Sequence, residues 1–247
     1  MATFPTTVPV DVEPITGRGG AAPPSRRSDG GDGNGGPFDY GSAAFELRLR
    51  RARLGMIVAI SAIAMIFVSF TSAYVVRQGL PTIDPRTGTL VHDWLPVRLP
   101  PLLLLNTLVL LVSSVTMELS RRQIAREAAG TVAASAQHAN RSQISWLALT
   151  IALGLAFLGA QLVAWRELAA TGFYLATSPS SSFVYLLTGM HGIHLLGAVF
   201  VLLFAGAAAI VGKPIATRVV ILDVTGWYWH FMAILWVYVF CLMKFAR

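Results

Sequence analysis

Polar and apolar positions alternate along this chain in long blocks rather than residue by residue. Five blocks run almost wholly apolar, at about residues 54–76, 99–117, 144–165, 183–211 and 226–245, with polar segments between them. A helix rises about 1.5 Å per residue, so the first block measures about 34 Å, enough to cross a hydrocarbon core of ~30 Å. The pattern therefore predicts an all-α polytopic membrane protein, with five transmembrane helices in a bundle. Residues 1–45 contain the run GGDGNGGP, follow no apolar period and are predicted to form a disordered Gly/Pro-rich tail. That leaves residues 46–247 as the membrane domain.

The connections follow from turn chemistry. Residues 77–98, with Pro81, Asp84, Pro85, Gly88 and Asp93, read as a loop. Residues 118–143 read as a polar, alanine-rich connection. Residues 212–225, with Lys213, Pro214, Arg218 and Asp223, read as a second loop. Pro100 and Pro101 open the second span, where a missing amide donor has no helical partner anyway.

Composition strengthens the membrane reading. The chain of 247 residues is 55% hydrophobic and only 13% charged, against about 25% charged in soluble domains. Its net charge of +7 comes mainly from arginines flanking apolar spans. There they set orientation and meet anionic lipid, so nucleic acid is not an expected partner. Cys241 is the single cysteine, which excludes an intrachain disulfide and multi-cysteine metal sites. No secretory leader is read in the first 45 residues.

Basic residues also orient the spans. With the amino terminus inside, ten lie on the inner side: Arg48, Arg50, Arg51, Arg53, Arg121, Arg122, Arg126, Arg141, Lys213 and Arg218. Six lie on the outer side: Arg77, Arg86, Arg98, Arg166, Lys244 and Arg247. The excess predicts a cytoplasmic amino terminus and an external carboxyl terminus.

Candidate chemistry concentrates in the fourth span, where His191 and His194 stand among Thr188, Gly189, Gly192 and Gly197. A spacing of three puts both imidazoles on one helix face, and ionisable groups at membrane depth normally face protein. His230 follows the aromatic run Trp227, Tyr228 and Trp229 at the head of the fifth span. These histidines could bond to neighbouring helices. They could also ligate a haem, as two histidines from different helices do in b-type anchors. All twelve carboxylates lie in the tail, in collars and loops or at span ends, among them Glu118 and Glu167. None sits at mid-membrane depth, which argues against a proton carrier or small transporter acting alone.

Five stretches, in order, resemble haem–copper oxidase subunit III, the third core subunit of cytochrome c and quinol oxidases. They are RLGM from Arg53, LNTLVLLVSSVTM from Leu105, LGLAFLGAQLVAW from Leu153, LLTGMHGIHLLGAVF from Leu186 and WYWHFMAILW from Trp227. With five spans instead of seven, the chain is similar to the short bacterial form. The family's usual acidic positions fall on Ile63, Ala164 and Ala233.

The resemblance implies an accessory subunit of a terminal oxidase complex, with no catalytic, cofactor or metal site of its own. Haem and copper would reside in partner subunits, subunit I beside this chain and subunit II in the same complex. Bound phospholipid is implied, as is a bacterial cytoplasmic membrane location. The electron donor, cytochrome c or quinol, is not read by this subunit. On this reading Asn106, Ser113, Gln161, His191, His194 and His230 form an interhelical polar framework. Arg53, Trp165, Trp229 and Trp236 are the candidate lipid contacts. Replacing His191 or His194 by leucine is expected to weaken assembly.

Overall fold

The computed structural model describes residues 43–83, 86–91, 94, 101–128, 136–175, 177–211 and 213–245, including side chains except at 136–141. Five helices are present among them: α1 (Ala43–Gly79), α2 (Leu102–Ala128), α3 (Ala136–Ala170), α4 (Pro179–Ile210) and α5 (Ile215–Phe245). All five are long and apolar enough to cross a membrane. A two-residue ribbon, β1 (Thr82–Ile83) antiparallel to β2 (Leu90–Val91), stands in the first loop. Most of the tail assigned to residues 1–45 lies outside the described residues. Its last three residues are a correction, because α1 already includes Ala43–Phe45 and Phe45 is buried.

The helices outrun the apolar blocks at most ends, because a helix continues through a polar collar until a breaker stops it. The largest correction concerns residues 212–225. Pro214 sits just before the first turn of α5 and its carbonyl accepts from the amides of Thr217 and Arg218. Arg218 and Asp223 are therefore helical and buried rather than in a loop. Proline at a helix start forfeits no hydrogen bond and presets the helical φ.

Two caps position the far end of the bundle. At the close of α3, Gly172 takes φ +82, a conformation open to glycine. The Phe173 amide donates to the Leu168 carbonyl and the Gly172 amide to that of Ala169, the paired bonds of a Schellman cap. At the start of α4, Ser178 and Ser181 form a reciprocal capping box ahead of a helix with proline in its first turn. The serine cluster of the sequence is thus a helix start.

α2, α3, α4 and α5 pack in a ring, each against the next, and α1 lies against α4 and α5. Outward faces carry large apolar side chains such as Met65, Leu105, Leu162 and Ile193. The interior holds large rings such as Phe67, Phe157, Trp229 and Trp236, interleaved with small and polar side chains including Ser113, Thr116, Thr150, Ser180 and Thr188. Lipid is as apolar as leucine, so burial of apolar surface does not drive the helices together. Close packing and interhelical hydrogen bonds do.

Gly154 shows how tight that packing is. A Cβ there would stand 2.7 Å from Trp229 Cη2, inside contact distance. Trp229 is fully buried and has no free direction in which to retreat. Gly154→Ala is expected to destabilise by about 1–3 kcal/mol through overpacking. Gly159, with open space around its Cβ position, should tolerate the same change. Thermal unfolding of the two variants in one detergent checks the contrast.

Candidate functional site

The interior polar groups form a column between the helices rather than a pocket around a ligand. At the end where α2 leaves and α5 enters the bundle, the column is charged. Asp223 on α5 is 6% exposed. It receives Arg53 Nε from α1 at 2.7 Å, Arg53 Nη2 at 3.1 Å and Arg121 Nη1 from α2 at 3.0 Å. Arg121 Nε also donates to Glu118 at 2.8 Å, and Arg122 Nε to the same carboxylate at 2.8 Å. Gly226, one turn beyond Asp223, makes room for this crossing, since a Cβ there would stand 3.1 Å from Arg121 Cδ. Arg218 Nη2 donates to Gln143 Oε1, tying α5 to α3. Two arginines from different helices converge on one carboxylate, an arrangement that joins α1, α2 and α5 electrostatically.

Deeper in the bundle the ties are neutral. Ser113 Oγ donates to the Thr150 carbonyl at 3.3 Å, and the hydroxyls of Thr116 and Thr150 are 2.8 Å apart. Ser114 Oγ lies 2.5 Å from His230 Nδ1, and Glu118 stands 3.6 Å from His230 Nε2. The carboxylate favours the proton on Nε2, which leaves Nδ1 to accept from Ser114. Trp236 Nε1 donates to Thr107 Oγ1 at 3.0 Å, and Asn106 Nδ2 to Gln161 Oε1 at 3.4 Å. Near the opposite end, Trp165 Nε1 donates to Thr188 Oγ1 at 3.1 Å.

Two of the six framework residues behave differently from the expectation. His194 Nδ1 donates to the Met190 carbonyl of its own helix at 2.7 Å, so this bond does not join helices. Its ring instead meets the Phe67 ring of α1 at a centroid distance of 6.1 Å. His191 is fully buried, and neither ring nitrogen has a hydrogen-bond partner among the described residues. It packs against the rings of Phe157 at 5.7 Å and Trp236 at 5.0 Å. It stands in an aromatic wall.

That environment reverses the effect expected of His191→Leu. Removing a buried polar group that has no partner leaves nothing newly unsatisfied, and leucine is close to it in size. The variant is expected to assemble normally and unfold at the same temperature or slightly higher, by up to about 1 kcal/mol. Lower thermal stability in detergent would contradict the absence of a partner.

The lipid-contact candidates divide as well. Trp229 and Trp236 are both 0% exposed, so neither meets lipid, and that expectation is corrected. Trp229 fits against Gly154 on α3, and Trp236 lies against Phe157 and His191 while bonding Thr107. Arg53 keeps 41% of its side chain exposed while paired with Asp223, and stands 6.0 Å over the Trp227 ring. Trp165 is half-buried between α3 and α4.

Sequence reasoning missed Arg121, Gln143, Arg218 and Asp223 as interior groups. Pro214 was the available signal, because a helix starting after it carries Asp223 inward. Of the positions where the related family carries acids, Ala164 and Ala233 are buried in the bundle. Among the described residues, no three His, Cys, Asp or Glu side chains gather closely enough to hold a metal ion.

Comparison with known proteins places these features in context. The sequence model of the family described as Cytochrome c oxidase subunit III matches residues 44–246. Cytochrome c oxidase subunit 3 of Coturnix japonica is 30% identical over 197 residues, covering 77% of this chain and 68% of that protein. The protein of that name from Branchiostoma lanceolatum is 30% identical over 194 residues, 76% of this chain and 66% of its own length. That of Thermostichus vulcanus is 27% identical over 191 residues, 77% of this chain and 85% of the relative. The chain thus spans about two thirds of the length of the first two relatives.

Proposed function

Because the chain belongs to the cytochrome c oxidase subunit III family, we propose that it is the accessory, non-redox subunit of a haem–copper terminal oxidase. It packs against subunit I, with subunit II in the same complex, and binds phospholipid. Oxygen reduction and its haem and copper belong to those partners. It lies in a bacterial cytoplasmic membrane with its amino terminus inside. Either cytochrome c or quinol could feed the complex without altering this role.

One observation carries the non-redox reading: the membrane histidines are occupied by packing. His191 is enclosed by Phe157 and Trp236, His194 is bonded within α4, and His230 is held between Ser114 and Glu118. A haem anchor built on His191 or His194 with His230 would need two imidazole nitrogens aimed into a common, haem-sized gap. The column of interhelical bonds serves instead to fix a rigid outer surface on which a larger membrane subunit can rest.

Isolation in mild detergent tests the assignment. The chain is expected to copurify with haem- and copper-bearing subunits and to be colourless once separated from them. A b-type absorbance carried by the separated chain, lost in His230→Leu, would replace this reading with the haem anchor. A reporter fused after Arg247 should be active on the external side only, and cytoplasmic activity would reverse the orientation.

A further inference from the structure

The chain leaves α1 through a hairpin that is tied to the bundle at both ends. Arg77 Nη1 donates to the Leu80 carbonyl at 3.1 Å and Nη2 to Thr82 Oγ1 at 2.9 Å. β1 and β2 then pair Thr82 with Val91 and Ile83 with Leu90. Gly88 takes φ +67 in the connection between them, and the Thr87 and Thr89 hydroxyls are 2.7 Å apart. Beyond β2, Trp94 meets the Tyr74 ring of α1 edge-on at 4.9 Å and lies 6.4 Å from the Phe183 ring of α4. An isolated two-stranded ribbon is marginal in water, so these ties hold it in place.

Apolar side chains nevertheless point outward from this hairpin. Ile83 is 62% and Leu90 70% exposed, and Leu80 and Val91 are exposed beside them. Ile83 and Leu90 are directly opposed, so their side chains share one face of the ribbon. The connection, Arg86, Thr87, Gly88 and Thr89, is polar and exposed. The apolar surface is continuous with the outer face of α1: Val75 and Val76 are exposed near the helix end, and Leu80 follows just beyond it.

Two opposing costs fix the depth of the hairpin. Arg53 closes the charged collar at the other end of α1, which puts Leu54 at the edge of the hydrocarbon core. From Leu54 to Gly79 the helix rises about 38 Å at ~1.5 Å per residue, or about 35 Å along the bilayer normal at the ~20° average tilt. The core is ~30 Å thick, and headgroup layers bring the bilayer to about 40–45 Å. Gly79 therefore reaches the opposite headgroup layer, and the hairpin starts there. Contact with acyl chains removes Ile83 and Leu90 from water. Each strand also has one edge without a ladder partner among the described residues, and open backbone edges are excluded from hydrocarbon. The boundary between headgroups and acyl chains satisfies both demands.

We propose that the β1–β2 hairpin is an interfacial peg, resting on the membrane surface at the α1–α2 loop end. Ile83 and Leu90 dip to the acyl boundary, and residues 86–89 face water. The peg holds no individual lipid; its partner is the membrane surface itself. α1 is the least buried of the five spans, so a seated hairpin steadies the height and rotation of the helix that the bundle encloses least. The inference does not rest on the oxidase assignment.

The test uses the complete complex containing this chain, reconstituted in nanodiscs. A genetically encoded fluorescent residue replaces Ile83, Thr87 or Leu90, all exposed, so no core packing is lost. Phosphatidylcholine brominated near the headgroup end of its acyl chains should quench positions 83 and 90 more strongly than phosphatidylcholine brominated near the chain ends. Neither should quench position 87. Leu90→Asp should remove most of the quenching at position 83. A diazirine-bearing leucine, nearly isosteric with leucine, reads the same contact without a bulky label, and peptide mapping should find a lipid adduct at Leu90. Loss of quenching at 83 and 90 with no lipid adduct at Leu90, stronger quenching by the deep bromine, or a Leu90 adduct with a protein chain in place of lipid would overturn the proposal.

Discussion

Trp236→Ala will open the interior of the bundle at its most crowded level. Trp236 is fully buried, meets the Phe157 ring edge-on at 4.9 Å, lies against His191 and donates to Thr107 across the α2–α5 interface. Soluble proteins lose about 3–5 kcal/mol on such a truncation. Part of that is transfer from water, which lipid does not supply. The cavity and lost contacts remain, and we expect about 2–3 kcal/mol. Trp236→Phe keeps an aromatic ring against Phe157 and loses chiefly the bond to Thr107. Membrane hydrogen bonds average ~0.6 kcal/mol, so it should cost well under half as much. Thermal unfolding of both variants in one detergent separates packing from hydrogen bonding. Equal losses would place the bond, not the ring, at the centre of this level.

Asp223→Ala will strand two arginines. Arg53 and Arg121 reach the same carboxylate from α1 and α2, and without it their guanidinium groups face one another across a buried site. Removing one member of a buried ion pair costs about 3–5 kcal/mol. Arg53 is 41% and Arg121 32% exposed, so water and the Glu118 carboxylate offset part of this, and about 2 kcal/mol is expected. Arg53→Ala leaves Asp223 still paired with Arg121 and should cost less than half as much. The effect should also be local. Among the described helices α1 packs against α4 and α5, so its amino-terminal half should become more accessible to protease in Asp223→Ala while α2–α5 stay protected. Uniform loss of protection across all five helices would show that Asp223 holds the whole bundle rather than α1.

These two residues also mark how far linear reasoning reaches. Trp236 belongs to a recognisable aromatic stretch that carries the family resemblance, and the sequence alone makes it a lipid-contact candidate, whereas the fold buries it. A membrane helix is apolar on both its lipid face and its packing face, so hydrophobicity does not say which side a tryptophan takes. Asp223 falls in the segment 212–225, which with Lys213, Pro214 and Arg218 reads as a loop between apolar blocks. Its two arginine partners lie 102 and 170 positions away in sequence, and no local pattern announces such a pairing. His191 shows a third case. Its depth could be read from its neighbours, yet its lack of a partner depends on which side chains of α3 and α5 surround it.

The chain's linear order dictated the number of spans, the all-helical class, the membrane setting and the family. All four follow from apolar block length and short motifs, quantities carried by consecutive residues. Which polar groups meet and which aromatic rings are enclosed were fixed only when the five helices came together. The bilayer exerts no preference among apolar faces, so rotation of each helix is left to close packing and to a few distant charge pairs.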